Sequence, residues 1–438
     1  MQARACQRPI RPCGCDAHSS RNAHPLGSWG RPTTIVSESR MHAIPQLPIE
    51  SNSRRMAAMA RAPCRSAPQS LAPDRFALSS DHSLPWPAIE SLVRRDPARR
   101  GVASYTNFGT PLCGGHLATA AHDLAQRARC VAIVTGFCIV DAQPPTAETD
   151  GPPGALFLAS SLAALGVEVV LLTDKYGMDA LQVGCDQYGL ARSIIREFPL
   201  EETEIAGSGA ATAPNPAESP RADNWIEQFL SDGPGARLSH LVAIERVGPS
   251  HTPRSFLAQR RAAPTSLDEF DRDVPAASRN VCHNMRGVPI DAYTGRTHRL
   301  FEAIAERYLP VTTIGIGDGG NEIGMGTIPW ELLRGAITVG PAGIVACRVA
   351  TDFTVLGGIS DWAAYALAFA VCRLRGEASA ASTHNEQSVR VLIEALVRDA
   401  GAVDGVTGRR ELSVDGLPLE TYLQVFSGIR DLFAGAAR

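Results

Sequence analysis

Up to about residue 81 the apolar residues follow no period, and from Leu84 onward they fall into order. Pro85 to Arg95 reads as a short helix with Ile89, Leu92 and Val93 on one face, and Leu117 to Ala128 as a second. Cys130 to Gly136 is a short continuous apolar run, as expected of a strand covered on both faces. Gly154 to Leu165 is helical, with Gly166 placed as its stop. Further strands are read at Val167–Thr173, His240–Glu245 and Val311–Ile316, and Ile344–Leu356 reads as two short strands. Asp361–Arg375, Glu386–Asp399 and Leu419–Phe433 are helical. Strands alternating with helices predict an α/β fold: a mainly parallel open sheet with helices on both faces, three layers in Rossmann-like topology.

Composition adds two segments. Residues 1–81 are rich in Arg, Pro, Ser, Ala and His, poor in acids, and lack the apolar core of a secretory signal. They are expected to be disordered, either as a mitochondrial transit peptide or as a start placed upstream of Met41, Met56 or Met59. Residues 82–438 are expected to form one domain, interrupted by a Gly/Ala/Pro/Ser-rich loop insert at 206–222. The net charge of −3 offers no electrostatic reason to expect nucleic acid, and no apolar run is long enough to span a bilayer. A cytoplasmic protein follows, or a matrix protein if the extension is a transit peptide. Expected partners are a small amino-acid substrate and, at most, further copies of the chain. The eleven cysteines form no CxxC pair and read as buried thiols of a reducing compartment.

Three motifs follow predicted strands, and open parallel sheets bind ligands beyond the carboxyl ends of their strands. Glu148-Thr-Asp-Gly-Pro-Pro-Gly154 follows the apolar stretch that runs to Val140. Asp150 can cap the next helix, Pro152 and Pro153 suit its first turn, and Glu148 has no such explanation. Glu245-Arg246 leaves the strand before it with an acid and a base pointing different ways. Gly315-Ile-Gly-Asp-Gly-Gly-Asn-Glu-Ile-Gly-Met-Gly326 packs Asp318, Asn321 and Glu322 among six glycines, a loop suited to close backbone approach to a ligand. It also spells G-x-G-x-x-G. No acid ends the following strand and its own carboxylates would repel a pyrophosphate, so no dinucleotide site is expected. His251, His283 and His298 lack metal-ligand spacing, as do His116 and His122, and read as solvated or internally satisfied.

These three runs, together with Val355-Leu-Gly-Gly-Ile-Ser-Asp-Trp-Ala-Ala-Tyr-Ala-Leu367, resemble the D-glutamate cyclase family over roughly residues 82–436. In the mammalian mitochondrial enzyme the corresponding part is the C-terminal domain, so the resemblance implies a stand-alone form of that domain. The activity it implies is a hydro-lyase reaction of glutamate metabolism, D-glutamate to 5-oxo-D-proline and water. That reaction needs a base for the amine, with Asp318 or Glu322 as candidates, and an acid for the departing oxygen, with Glu245 or Glu148 as candidates. Arg246 is the candidate fork for the α-carboxylate, and glycine-loop N–H groups, at Gly317, Gly319 and Gly320, are the candidate oxyanion donors. Thr149, Asp150, Gly151, Asn284 and Asn321 complete the expected substrate-binding set. Asp150, Asp318 and Glu322 are equally a ligand set for Mg²⁺ or Mn²⁺, which would polarise the carboxyl group. Two other readings stay open: a lyase or hydrolase of another small amino or hydroxy acid, and a non-catalytic small-ligand or nucleotide-binding domain.

Overall fold

A computed structural model describes residues 84–201, 204–205, 211–212, 220–259, 265–382 and 384–435. The apolar runs form β1 (Cys130–Thr135), β2 (Glu168–Thr173), β3 (Ile195–Glu197), β4 (His240–Ile244), β5 (Thr312–Gly317) and β6 (Phe353–Leu356). They make one sheet in the order β6-β5-β4-β1-β2-β3, and every neighbouring pair is parallel. All residues of β1, β4 and β5 are buried, which is why they read as unbroken apolar runs without alternation. The chain starts at the centre with β1, builds outward to β3, then returns to build β4, β5 and β6 on the other side. The turning point of that order lies between β1 and β4, where sheets of this kind open a crevice at their carboxyl edge.

Alternate side chains of each strand feed two apolar clusters. Val131, Ile133, Val242, Ile244, Ile314 and Ile316 face helices α1 (Trp86–Val93), α2 (His116–Arg127), α3 (Pro152–Ala164), α4 (Met178–Tyr188), α8 (Ser360–Leu374), α9 (Glu386–Arg398) and α10 (Leu419–Gly435). Ala132, Val134, Leu241 and Ala243 face α5 (Pro220–Ser231), α6 (His298–Glu306) and α7 (Trp330–Ala336). The fold is therefore α/β in three layers, as expected. Helices α3 and α8 are apolar on nearly every side, the mark of helices enclosed by others. Each fully buried Leu or Phe within them contributes about 1.5–3 kcal/mol. Gly166, at φ +74°, ends α3 as its position predicts.

Some boundaries differ. The first half of Ile344–Leu356 is not a strand: Ala342–Val345 is a helical turn, and only Phe353–Leu356 pairs in the sheet. β1 stops at Thr135 because Gly136 turns the chain at φ +102°, and Cys138–Ile139 belongs to a separate hairpin with Thr146–Ala147. Most of the expected insert, and all of residues 1–81, lie outside the described residues. Pro220 to Ala222, placed in that insert, are the first turn of α5. The seven described cysteines are free thiols, six buried and Cys113 half-buried. No described helix is long and apolar enough to cross a membrane.

Candidate active site

The ends of β1, β4 and β5 bring the three motifs together. The glycine loop after β5 is laced to the segment after β4: Ile323 N donates to Arg246 O (2.8 Å) and Gly248 N to Asn321 O (2.9 Å). The first motif is tied to the C-terminal region, where Thr149 N donates to Val403 O (2.9 Å) and Thr149 Oγ1 to Ser413 O (2.8 Å). At the centre stands a buried group of carboxylates: Glu148, Asp150, Glu245, Asp318, Glu322 and Asp415. Oxygens of Asp150, Asp318 and Asp415 lie within 4.8 Å of one another, and so do those of Glu245, Asp318 and Glu322. Asp318 belongs to both trios. Each trio offers the hard oxygen donors that Mg²⁺ or Mn²⁺ accepts.

An arginine faces this group. Arg100, from the loop after α1, binds Asp415 with both terminal nitrogens (2.7 and 2.6 Å) and Asp318 with one of them. Its side chain is nearly buried, as is that of Asp318, so the pairing lies within the carboxylate group rather than on the protein surface. The fork geometry and the shared charge make this a strong pairing. Sequence reasoning passed over both partners. Arg100 is one of many arginines, and Asp415 stands in an Asp-Gly pair that signals only a hairpin turn.

The environments of the carboxyl groups differ. Burial lifts Asp415, but the charge and hydrogen bonds of Arg100 overcome it and hold the group below the usual carboxylate range. Burial, reinforced by neighbouring carboxylates, holds Glu245, Glu148 and Asp150 well above that range. Asp318 is raised too, by burial first, although Arg100 pulls the other way. One buried site thus holds a carboxylate kept charged beside carboxyl groups driven toward neutrality.

Helices α3 and α8 begin side by side and exchange caps. Asp150 does not cap its own following helix as expected; it accepts from Ser360 N and Asp361 N of α8 (both 3.0 Å). Asp361 in turn accepts from Gly151 N (3.0 Å) and Gly154 N (2.7 Å) of α3. Its other oxygen accepts from Tyr422 Oη (2.9 Å), which pairs with Tyr365 Oη (2.7 Å). Ser360 Oγ donates to Glu245 Oε2 at 2.5 Å. Gly151, at φ +95°, leaves room for this: a Cβ there would lie 2.7 Å from Glu245 Cβ.

Several expected site residues have other duties. Arg246 does not reach the carboxylates. Its guanidinium donates to Gly136 O (2.5 Å), Asp174 Oδ2 (2.6 Å), Gly295 O (2.7 Å) and Thr297 Oγ1 (3.2 Å), so the proposed fork for substrate is committed to the fold. Glu322 turns back on its own loop and accepts from Asp318 N (3.2 Å), Gly319 N (2.7 Å) and Gly320 N (2.7 Å). Two of the three loop donors expected to hold an oxyanion, Gly319 and Gly320, are therefore occupied by a carboxylate. Gly317 and Gly319 are bare because side-chain atoms of Glu322 fill the space of their Cβ atoms. Asn321 Nδ2 donates to His283 O (2.9 Å), and Asn284 Oδ1 closes its own turn onto Arg286 N and Val288 N (both 3.0 Å). His251, His283 and His298 are buried rather than solvated and stand outside the carboxylate trios. A surface cavity of about 500 Å³ beside α7, lined by Asp273, Glu331 and Arg334, also lies outside them.

The family described as D-glutamate cyclase-like, C-terminal, matches residues 89–272 and 272–430. The chain is similar to the mitochondrial D-glutamate cyclase of Homo sapiens, at 28% identity over 372 residues, which is 78% of this chain and 51% of the human protein. The chain thus spans about half the length of that relative.

Proposed function

Because the chain belongs to the D-glutamate cyclase-like, C-terminal family, we propose that it is a lyase that closes D-glutamate to 5-oxo-D-proline with loss of water. The observation that carries this reading is the placement of Asp318 between a carboxylate, Asp415, held charged by Arg100 and carboxyl groups, Glu245 among them, held toward neutrality.

The chemistry asks for such a pairing. The amine forms a bond to the side-chain carboxyl carbon, and a carbon–oxygen bond breaks. The ammonium gives up two protons, and the departing oxygen takes up two to leave as water. The reaction thus needs no net proton from solvent, and a buried group containing both a base and an acid suffices. Both reacting groups belong to one molecule, so orientation supplies much of the rate. Asp318, whose charged form Arg100 favours against the lift of burial, receives the ammonium and takes its proton; Glu322 is occupied by three N–H donors and is the weaker candidate. Glu245 delivers a proton to the departing oxygen. Arg100 replaces Arg246 as the cation for the substrate carboxylate and for the negative charge of the tetrahedral intermediate. Mg²⁺ or Mn²⁺, bound by either trio around Asp318, would polarise the carboxyl group.

The test is turnover of D- and L-glutamate by the purified full chain, with 5-oxoproline resolved by chiral chromatography. Each assay is run with EDTA and with added Mg²⁺ or Mn²⁺. We expect consumption of D-glutamate and a loss of at least about a hundredfold in Asp318→Asn. Failure of both enantiomers under every metal condition removes the cyclase reading.

A further inference from the structure

Glu245 occupies a backbone conformation that its own residue type avoids, at φ +44°. Such a position costs on the order of 1 kcal/mol and persists only where surroundings hold it. Two contacts do so. Its N–H donates to Ile316 O (3.1 Å), and its Oε2 accepts the hydroxyl of Ser360 (2.5 Å). Ser360 is fully buried at the first position of α8, and its own N–H is fixed to Asp150. Water therefore has no access to replace its hydroxyl.

We propose that Ser360 is a positioning residue for the reaction, anchoring Oε2 of Glu245 so that its carboxyl group keeps its place beside Asp318 and Glu322. The inference rests on the cyclase reading above. Around Glu245 stand Glu322 and Asp318 from the glycine loop, Asp150 and Glu148 from the first motif, Asp415 from the C-terminal hairpin, and Arg100 from the loop after α1. Five carboxyl groups and the Arg100 guanidinium thus act on Glu245 from several sides. The Ser360 hydroxyl holds it in place. A hydroxyl donates to a carboxylate and accepts from a carboxylic acid, so the contact survives the transfer of a proton from Glu245.

The experiment compares the full-length wild-type chain with Ser360→Ala, Ser360→Thr, Glu245→Gln and the Ser360→Ala/Glu245→Gln double variant. Steady-state constants for D-glutamate and melting temperatures are measured for each. The expected result is a fall in kcat of about tenfold to a hundredfold in Ser360→Ala with KM unchanged. Ser360→Thr, which keeps the hydroxyl, should restore most of it. In the Glu245→Gln background, Ser360→Ala should cost nothing more, because the two act as a unit. An unchanged kcat in Ser360→Ala overturns the proposal. So does a loss that multiplies in the double variant, or one that tracks melting temperature equally in Ala and Thr. If the wild-type chain converts neither enantiomer, the cyclase reading falls and this inference with it; an active wild type with independent effects removes this inference alone.

Discussion

Arg246 and Arg100 carry the same side chain and have opposite standing. Arg246 is 1% exposed, with four oxygen partners and Asp174 as its ion-pair partner at 2.6 Å. Arg100 pairs with Asp318 and Asp415 inside the carboxylate group. Arg246→Met should therefore leave Asp174 buried and unpaired, and lower stability by about 3–5 kcal/mol in urea unfolding. The fraction that remains folded should keep its KM for substrate; a selectively raised KM would return Arg246 to the binding site. A second case is Gly405, where a Cβ would lie 1.8 Å from Glu148 Oε2. Gly405→Ala should displace Glu148 and depress kcat with little change in melting temperature, as read by kinetics beside a thermal scan. Glu148, Asp150, Glu245, Asp318 and Glu322 were legible as candidates because they stand beside glycines after strands, although Asp150 also caps α8 and Glu322 also holds its own loop. Arg100 and Asp415 were not legible, since nothing local marks them and only the fold sets them against Asp318.

At the scale of elements, the joined starts of α3 and α8 matter most. Each helix has its first N–H groups satisfied by an acid that belongs to the other, which removes orphan donors from both. The sequence shows an acid just before α3 and another in the first turn of α8, and invites the local reading, in which Asp150 caps α3. The crossed arrangement arises because the two helices begin side by side, which sets each acid against the N–H groups of the other's start. Burial raises Asp361 to about 7, against about 3.9 in an unfolded chain. Between those values the folded protein holds a proton that the unfolded chain has released, so stability falls as pH rises from about 4 to about 7. Asp361→Asn is neutral throughout and keeps an oxygen for Gly151 N and Gly154 N. Its urea midpoint should vary less steeply with pH across that window, and a slope equal to wild type would show that Asp361 does not titrate there.

Across the whole molecule, the strand order decides where chemistry can occur. β1 and β4 lie side by side although more than one hundred residues separate them in sequence, as the pairing of Val134 with Ala243 shows. Their ends open toward the same crevice, into which the Glu148–Asp150 segment, α8, the glycine loop and the hairpin of Ser413–Val414 with Leu417–Pro418 all deliver side chains. Stability should be graded around that centre. β1, β4 and β5 are buried throughout, whereas edge strand β3 exposes Arg196 and Glu197. In native-state hydrogen exchange, amides of the three central strands should be the last to exchange and those of β3 among the first. Early exchange in β1 or β4 would mean that the crevice is not the rigid part of the fold.

Local order along the chain was enough for the class of fold and for most of its elements, because period and apolar run length are properties of neighbouring residues. It was also enough to place the acids at strand ends, since the strands and the acids are adjacent in sequence. Which acid meets which cation, which helix each cap serves, and which donors remain open depend on segments brought together across hundreds of residues. Those pairings are set by packing in three dimensions, where burial and the nearest opposite charge, rather than sequence spacing, decide what a side chain does.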